Sequence, residues 1–572
     1  MIERRSAGTS QRRHAGAALV AALLVGCAPG ATIPADWRHA AVPAPYVAPH
    51  AVVVSEHELA SRAGAEMLRR GGNAVDGAVA TGFALAAVQL SSGNIGGGGF
   101  LVLRLADGQV FALDYREMAP AAATPRMFLD SAGNVTDRSV LGALASGVPG
   151  SVAGMWEMHQ RFGRLPWGDL IAPAIALAEA HVLDSAHARS LNGRSLSRFP
   201  STRALFVRER PWQAGDTLRQ PDLASTLRRI AQDGRNGFYA GRTAELIEAQ
   251  MRESGGIITA ADLAAYQPRW RAPLRTMYRG YEILTMPPVS GGGATLIQAL
   301  NILEGFRLPA FGSREQRHLM IEAQRRAFED RNRYLGDPDF VAVPIERLTS
   351  KAYAAGRRQS IDRGRATPTL QLPRLPEGAQ TTHYSVADSM GNIAAVTTTL
   401  NTGYGSKLVV QGAGFFLNNE MDDFTTLPGT VNAMGIQHVG EANIIQPGKR
   451  MLSSMTPTIV LGPSGRPVLA LGAEGGAHII SAVIQVISNV IDHGMSVTEA
   501  VYAPRIHHNA LPDSVGHEPT SLPPRLRQAL QRMGHAFEER PGFMGTIEAI
   551  GWTPRGLIGV SDPRSTKGVV GF

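Results

Sequence analysis

Residues 381–401 read TTHYSVADSMGNIAAVTTTLN and gather hydroxyl side chains around the start of one strand. Two β-prone runs flank Asp388-Ser389-Met390-Gly391-Asn392, a turn-forming cluster, which predicts a hairpin. With the turn centred on Met390, Thr381 stands opposite Thr399, their Cβ atoms about 5 Å apart. Side chains alternate along a strand, so Thr397 and Asn401 share that face with Thr399. Threonine is common in strands, and composition alone favours ordinary surface β structure. The chemistry such a cluster could serve is nucleophilic. A threonine hydroxyl is a poor nucleophile and needs a base beside it. Cleavage before Thr381 would create that base on the same residue. Its new α-amino group, with a reference pKa of about 7.7–8.0, is substantially neutral near pH 7 and can accept the hydroxyl proton.

TTHYSVAD followed by TTTLN closely resembles the γ-glutamyltransferase family. Further matches follow in order along the chain. They are GGNAVDGAVA (71–80), GNIGGGGF (93–100), ALDYREMAP (112–120), GVPGSVAG (147–154), NNEMDDF (418–424), MLSSMTPTIV (451–460), GAEGGAHI (472–479) and SDPR (561–564). The resemblance runs from about residue 50 to residue 572. It implies an α/β (α+β) N-terminal-nucleophile hydrolase fold, a four-layer αββα sandwich, autoprocessed at Gln380–Thr381 into two interwoven chains. By the same resemblance Thr381 is the processing site and nucleophile, and Thr399 orients it. Arg116, Ser453 and Ser454 would hold the substrate α-carboxylate; a planar guanidinium suits that bidentate task. Asn401, Glu420 and Asp423 match the groups around the α-amino end, although some members carry glutamine in place of Glu420. Gly475 and Gly476 would form the oxyanion hole with their backbone N–H groups, glycine permitting the close approach. Pro428–Asn443 corresponds to a lid, with Met434 at the position often held by an aromatic gate.

The reaction so implied is acyl transfer. Glutathione and other γ-glutamyl compounds are donors; water, amino acids or dipeptides are acceptors. Three rivals stand beside it: a cephalosporin or glutaryl acylase of the same fold, a hydrolase with little transfer activity, and a catalytically silent envelope lipoprotein. No cofactor is implied. No metal-ligand set is legible, since His507 and His508 are adjacent and HExxH is absent. Neither Gly-x-Ser-x-Gly nor Ser-x-x-Lys occurs, which argues against the common serine hydrolases.

The elements that must position these residues follow from periodicity. Ser61–Gly71 reads as a helix with a Gly-Gly stop, and Ala74–Leu90 as a second, buried one. Gly96–Gly99 reads as a turn into the strand Phe100–Leu105 rather than a phosphate loop, because the P-loop lysine is missing. Residues 140–350 read as helix-rich, with clear periodicity in His318–Tyr334. Residues 361–380 read as an exposed loop. After Thr381 the character changes to short β-branched runs separated by glycine turns.

The chain has 572 residues, 44% hydrophobic and 18% charged, ample for a large core and too apolar for disorder. Part of its net charge of +8 lies in Arg4, Arg5, Arg12 and Arg13, with no basic run interleaved with aromatics beyond them. That argues against nucleic acid as a partner. The same arginines precede the apolar run Ala15–Val25, too short to span a bilayer but suited to a signal peptide. Leu24-Val25-Gly26-Cys27 resembles a lipobox, the alternative being ordinary signal cleavage nearby. Cys27 is the one cysteine, so no intramolecular disulfide can form. The expected organisation is a lipoprotein-type signal peptide over 1–26, a lipidated tether over 27–50, a large subunit over 51–380 and a small catalytic subunit over 381–572. The expected place is the periplasm or cell envelope, with membrane contact only through the N-terminal lipid.

Overall fold

Asp388 closes the predicted hairpin through its own turn. Its Oδ1 accepts from the N–H groups of Met390 and Asn392, both at 2.9 Å, and its Oδ2 accepts from Asn392 Nδ2 at 2.7 Å. Gly391 takes φ +94°, a left-handed conformation that glycine adopts without steric cost. The computed structural model describes residues 40–368, 381–539, 544–566 and 568–572. The signal segment 1–26, Cys27, the tether as far as residue 39, and Gln380 lie outside the described residues.

Two seven-stranded antiparallel sheets are built from β1 (Tyr46–Ala48), β2 (Val52–Val54), β3 (Gly98–Arg104), β4 (Val110–Tyr115), β5 (Arg269–Arg271), β6 (Leu274–Tyr278), β7 (Tyr281–Thr285), β8 (Thr381–Ala387), β9 (Ile393–Thr399), β10 (Thr458–Leu461), β11 (Pro467–Glu474), β12 (Thr546–Thr553), β13 (Gly556–Ser561) and β14 (Val569–Gly571). The first sheet runs β14-β2-β8-β9-β3-β4-β5 and the second β1-β13-β12-β11-β10-β7-β6. Thr381 pairs with Thr399 in the β8–β9 register, as the turn position requires. The hairpin enters between β2 and β3, while β1 and β7 flank β10–β13 in the other sheet. Segments from both sides of the 380/381 boundary therefore interleave in each sheet.

Helices α1 (Glu58–Arg69) and α2 (Ala74–Val88) cover the outer face of the first sheet. Helices α3 (Gly291–Glu304), α4 (Arg314–Tyr334) and α5 (His478–Ile491) form the layer beyond the second. The result is the expected four-layer αββα stack. Period-two alternation decides what each strand residue meets. Tyr384 and Val386 of β8 and Ala394 and Val396 of β9 join the cluster with Val79 and Phe83 of α2. Ala387, Ile393 and Ala395 face the other way and join Ile459 and Leu471 between the sheets. Each valine, isoleucine, leucine or phenylalanine among them contributes about 1.5–3 kcal/mol on full burial. Thr381, His383, Thr397 and Thr399 share the inter-sheet face. The sheets approach so closely there that a Cβ on Gly472 would meet the His383 ring at 2.2 Å.

The helix limits differ from the sequence reading where caps intervene. The α2 start is as expected, because Asn73 and Asp76 form a capping box. The α4 helix begins four residues early, at Arg314, where the Ser313 hydroxyl accepts from the Gln316 N–H. The middle of the chain is helix-rich as expected and also contributes β5, β6 and β7. The run HIISAVIQVISNVI, in the part of the chain whose character is β-branched, is the 14-residue helix α5. β-Branched residues cost a helix only tenths of a kcal/mol each, so burying this run against β11 and α3 overrides their preference.

Candidate active site

Thr381 opens β8 and is 3% exposed. Its Oγ1 donates to Thr399 Oγ1 at 3.4 Å, and Thr399 Oγ1 also accepts the Asn401 N–H at 2.8 Å. Asn401 takes φ +78° as the chain leaves β9. Its Nδ2 donates to the Asn419 carbonyl at 2.9 Å, tying the hairpin to the turn of helix over Glu420–Asp423. His383 lies on the same face as Thr381, yet both ring nitrogens are engaged elsewhere, with Thr397 Oγ1 at 2.8 Å and Ser385 Oγ at 3.0 Å. Burial holds this imidazole down to about 3, so it stays neutral. It is a strut, not a base for Thr381.

Arg116 follows β4 directly and is fully buried. Its Nη1 sits 2.8 Å from Glu420 Oε2 and its Nη2 2.5 Å from Asp423 Oδ2, with Glu117 Oε2 at 3.7 Å. Burial works against the guanidinium charge, but Glu420, Glu117 and Asp423 outweigh it and raise Arg116 above its ordinary value. The carboxyls respond in the opposite sense. Burial pushes Glu117 up to about 8 and Glu420 well above the usual range, Arg116 offsetting only part of this. Asp423 is also raised by burial, against the pull of Arg116 and Arg331. Three acids around one guanidinium cannot all ionise in a dry site. Burial therefore biases Glu420 toward its protonated form.

Ser453 and Ser454 precede β10. Ser453 Oγ accepts from the Met455 N–H at 3.1 Å, and Ser454 Oγ accepts from Arg331 Nη2 at 2.8 Å. Gly475 and Gly476 fill the junction between β11 and α5 with φ +123° and +57°. The start of α5 carries no side-chain cap; its first N–H groups donate back to the Gly475 and Gly476 carbonyls at 3.0 and 3.2 Å, and the positive end of the helix dipole lies at the same junction. That arrangement can stabilise an oxyanion.

The lid segment 428–443 is closed. Asn432 Nδ2 donates to Asp423 Oδ1 at 3.1 Å, Ala433 N–H donates to Asp422 Oδ2 at 2.8 Å, and Asn509 Nδ2 holds the Gly435 carbonyl at 3.0 Å. Met434 is buried and, with Ile436, roofs a cavity of about 20 Å³. Arg116, Thr381, Thr399, Asn401, Glu420, Asp423, Ser453, Ser454 and Gly476 line it. Such a space suits about one water, so an amino-acid-sized ligand requires lid movement.

The structure adds residues that sequence reasoning missed. Arg331, at the end of α4, reaches the serine pair from a helix that the sequence showed only by its periodicity. Glu117 neighbours Arg116 in chain and space. Two clusters with metal-ligand side chains also appear, His57-Asp184-His187 and His318-Glu322-His535. Neither lines the cavity, and several of their nitrogens are already bonded. His57 Nδ1 accepts the Leu59 N–H at 3.2 Å, and His318 donates to the Asp362 carbonyl at 2.7 Å while pairing with His535 at 2.8 Å.

Comparisons with known proteins place this geometry. A family model described as Gamma-glutamyltranspeptidase matches residues 60–572. The glutathione hydrolase proenzyme of Pseudomonas sp. (strain A14) is 43% identical, over 93% of this chain and 96% of that protein. The crystal structure of Helicobacter pylori gamma-glutamyltranspeptidase is 45% identical, with a TM-score of 0.55 over 57% of this chain and 94% of that one. A cephalosporin acylase from Bacillus halodurans is 28% identical, with a TM-score of 0.83 over 94% of this chain and 99% of that chain.

Proposed function

The chain belongs to the gamma-glutamyltranspeptidase family and is an enzyme of the N-terminal-nucleophile type; on that premise we propose that it is a glutathione hydrolase and γ-glutamyltransferase working from Thr381. One observation carries the reading. A hydroxyl nucleophile, its partner Thr399 and a set of groups suited to an amino-acid zwitterion line the same buried cavity.

In the precursor, Thr381 Oγ attacks the Gln380 carbonyl carbon and the peptide nitrogen leaves as the ester forms. Water then splits that ester, giving Gln380 a carboxylate and Thr381 a free α-amine. Residues 51–380 become the large subunit and 381–572 the small one. In turnover the α-amine takes the Thr381 hydroxyl proton as Oγ attacks the γ-amide carbonyl. Thr399 holds the hydroxyl. Gly475 and Gly476 face the developing oxyanion. The leaving amine, Cys-Gly when the donor is glutathione, takes the proton, and a γ-glutamyl ester remains. Water resolves it by hydrolysis, or the amine of an amino acid or dipeptide by transfer. Arg116, Ser453 and Ser454 receive the donor carboxylate; Asn401, Glu420 and Asp423 receive its ammonium.

The likeness to a cephalosporin acylase keeps a second reading in view, in which the donor is a glutaryl group without the ammonium. Two acids beside Asn401 favour the γ-glutamyl donor. Purified protein given γ-glutamyl and glutaryl p-nitroanilides, with and without glycylglycine, separates the two. Preference for glutaryl would replace the first reading with the second, and a glycylglycine response measures transfer against hydrolysis.

The N-terminal segment supports export through the cytoplasmic membrane and lipid attachment at Cys27, which would hold the enzyme at the periplasmic or envelope side. Mass spectrometry of the mature N-terminal peptide tests this: an acylated Cys27 is expected, and a product starting elsewhere without lipid mass overturns it.

A further inference from the structure

Arg331 is 1% exposed and sits in the last turn of α4. Its helix neighbours handle their charge differently. Arg325 and Arg326 both bind Glu322, and Arg333 lies over the Tyr334 ring. Arg331 has only neutral partners among the described residues. Its Nη2 donates to Ser454 Oγ at 2.8 Å and, more weakly, lies 3.4 Å from the Ser453 carbonyl; its Nη1 donates to Asn332 Oδ1 at 3.0 Å. Its Nε has no acceptor. Burial lowers the guanidinium to about 10, with Asp423 raising it and Arg116 lowering it, so it keeps its charge at neutral pH. A buried cation without a paired anion is costly, and such a charge is normally met by a counter-ion.

The cavity supplies the place for one. Ser454 lines it. A hydroxyl has one proton and two lone pairs. Arg331 occupies a lone pair of Ser454, and among the described residues the proton has no acceptor. Arg116, by contrast, is already bracketed by Glu117, Glu420 and Asp423. The cavity therefore has two guanidinium groups of different kinds, one neutralised by protein acids and one not.

We propose that Arg331 is a positioning residue for the donor's carboxylate: it holds the Ser454 hydroxyl with its proton directed at that carboxylate and supplies the unneutralised positive charge behind it. The inference rests on the γ-glutamyl reading for its choice of donor, but it concerns the carboxylate alone. It makes carboxylate recognition depend on α4 of the large subunit as well as on the Arg116 strand.

Three p-nitroanilide donors test it. γ-Glutamyl carries carboxylate and ammonium, glutaryl the carboxylate only, and 4-aminobutyryl the ammonium only. Arg331→Met should lower kcat/KM for γ-glutamyl and glutaryl donors by on the order of 10²-fold, mainly through KM, and change the 4-aminobutyryl value by less than about threefold. Arg331→Lys should restore roughly a tenth of the loss or more, since the charge returns without the planar fork. If the role runs through Ser454, Arg331→Lys with Ser454→Ala should be no worse than Ser454→Ala alone. Self-cleavage into two chains serves as the folding control. Should Arg331→Met fail to cleave, the lysine variant and the double variant carry the test. An equal loss on all three donors, or a loss confined to kcat, overturns the proposal and leaves Arg331 a packing residue. Failure of the γ-glutamyl reading looks different: the unmodified enzyme would then prefer glutaryl or turn over none of the three.

Discussion

Thr381 Oγ1 and Thr399 Oγ1 lie 3.4 Å apart across the first rung of the β8–β9 pair. The second hydroxyl is fixed by the Asn401 N–H, so the pair orients the first without supplying a base. Thr381→Ala should leave a single uncut chain. In the unsubstituted protein the smaller fragment should begin Thr381-Thr382-His383. Thr399→Ala removes a hydrogen bond of about 0.5–1.5 kcal/mol and should slow self-cleavage roughly 3- to 10-fold. Gel densitometry of cleavage against time checks both. Cleavage at the same bond in Thr381→Ala would remove Thr381 from the mechanism.

Asp423 touches Arg116, faces the cavity and receives the lid. Removing one partner of a buried charge pair costs about 3–5 kcal/mol. With 1.4 kcal/mol per factor of ten, Asp423→Ala should lower kcat/KM for γ-glutamyl donors by on the order of 10²–10³. A glutaryl donor has no ammonium and should lose far less. The comparison is a four-point cycle of two enzymes and two donors. Equal losses on both would assign Asp423 to holding Arg116 alone.

Asn432 is the latch of the closed lid. Its Nδ2 reaches Asp423, while its Oδ1 accepts from the N–H groups of Met434 at 3.1 Å and Ile436 at 2.9 Å. Asn432→Ala forfeits bonds worth about 1 kcal/mol each. The lid should then open more often, and limited proteolysis within 428–443 should quicken severalfold. A cleavage rate unchanged from the parent enzyme would show that other contacts hold the lid.

Glu474, the residue before Gly475 and Gly476, gives stability a pH dependence. Burial raises its carboxyl from 4.5 to about 7, hydrogen bonds to Thr546 and Glu56 offset part of this, and Asp562 adds to it. The folded state thus prefers the neutral form. Its contribution is fully present below about pH 4.5 and is lost as pH rises through about 7, a change on the order of 3 kcal/mol. Glu474→Gln mimics the neutral form and should flatten that loss. Denaturant unfolding at pH 5 and pH 8 reads it. A Glu474→Gln protein that loses as much stability as the parent between these values would place the titration elsewhere, with Glu56 or Glu548.

The hairpin and its register were legible because everything that sets them is local. Alternation fixes which side chains share a face, and Asp388 closes the turn within five residues of chain. The capping box of α2, read as a helix start at Ala74, is local in the same way. The α5 helix was not legible for a physical reason: its β-branched residues favour a strand locally, and only burial between β11 and α3 reverses that preference. Glu420 and Asp423 were legible as site residues through their motif, but not as partners of Arg116, about 300 positions earlier. Arg331 was hidden altogether. Periodicity assigns a residue to a helix and a face but not to a partner, and Arg331 meets Ser454 across 123 positions. The same holds for Glu56 and Glu474, and for His318 and His535. Which distant side chains meet depends on the order of strands within each sheet and on which helix covers which face, and those are settled only when the two sheets close on one another.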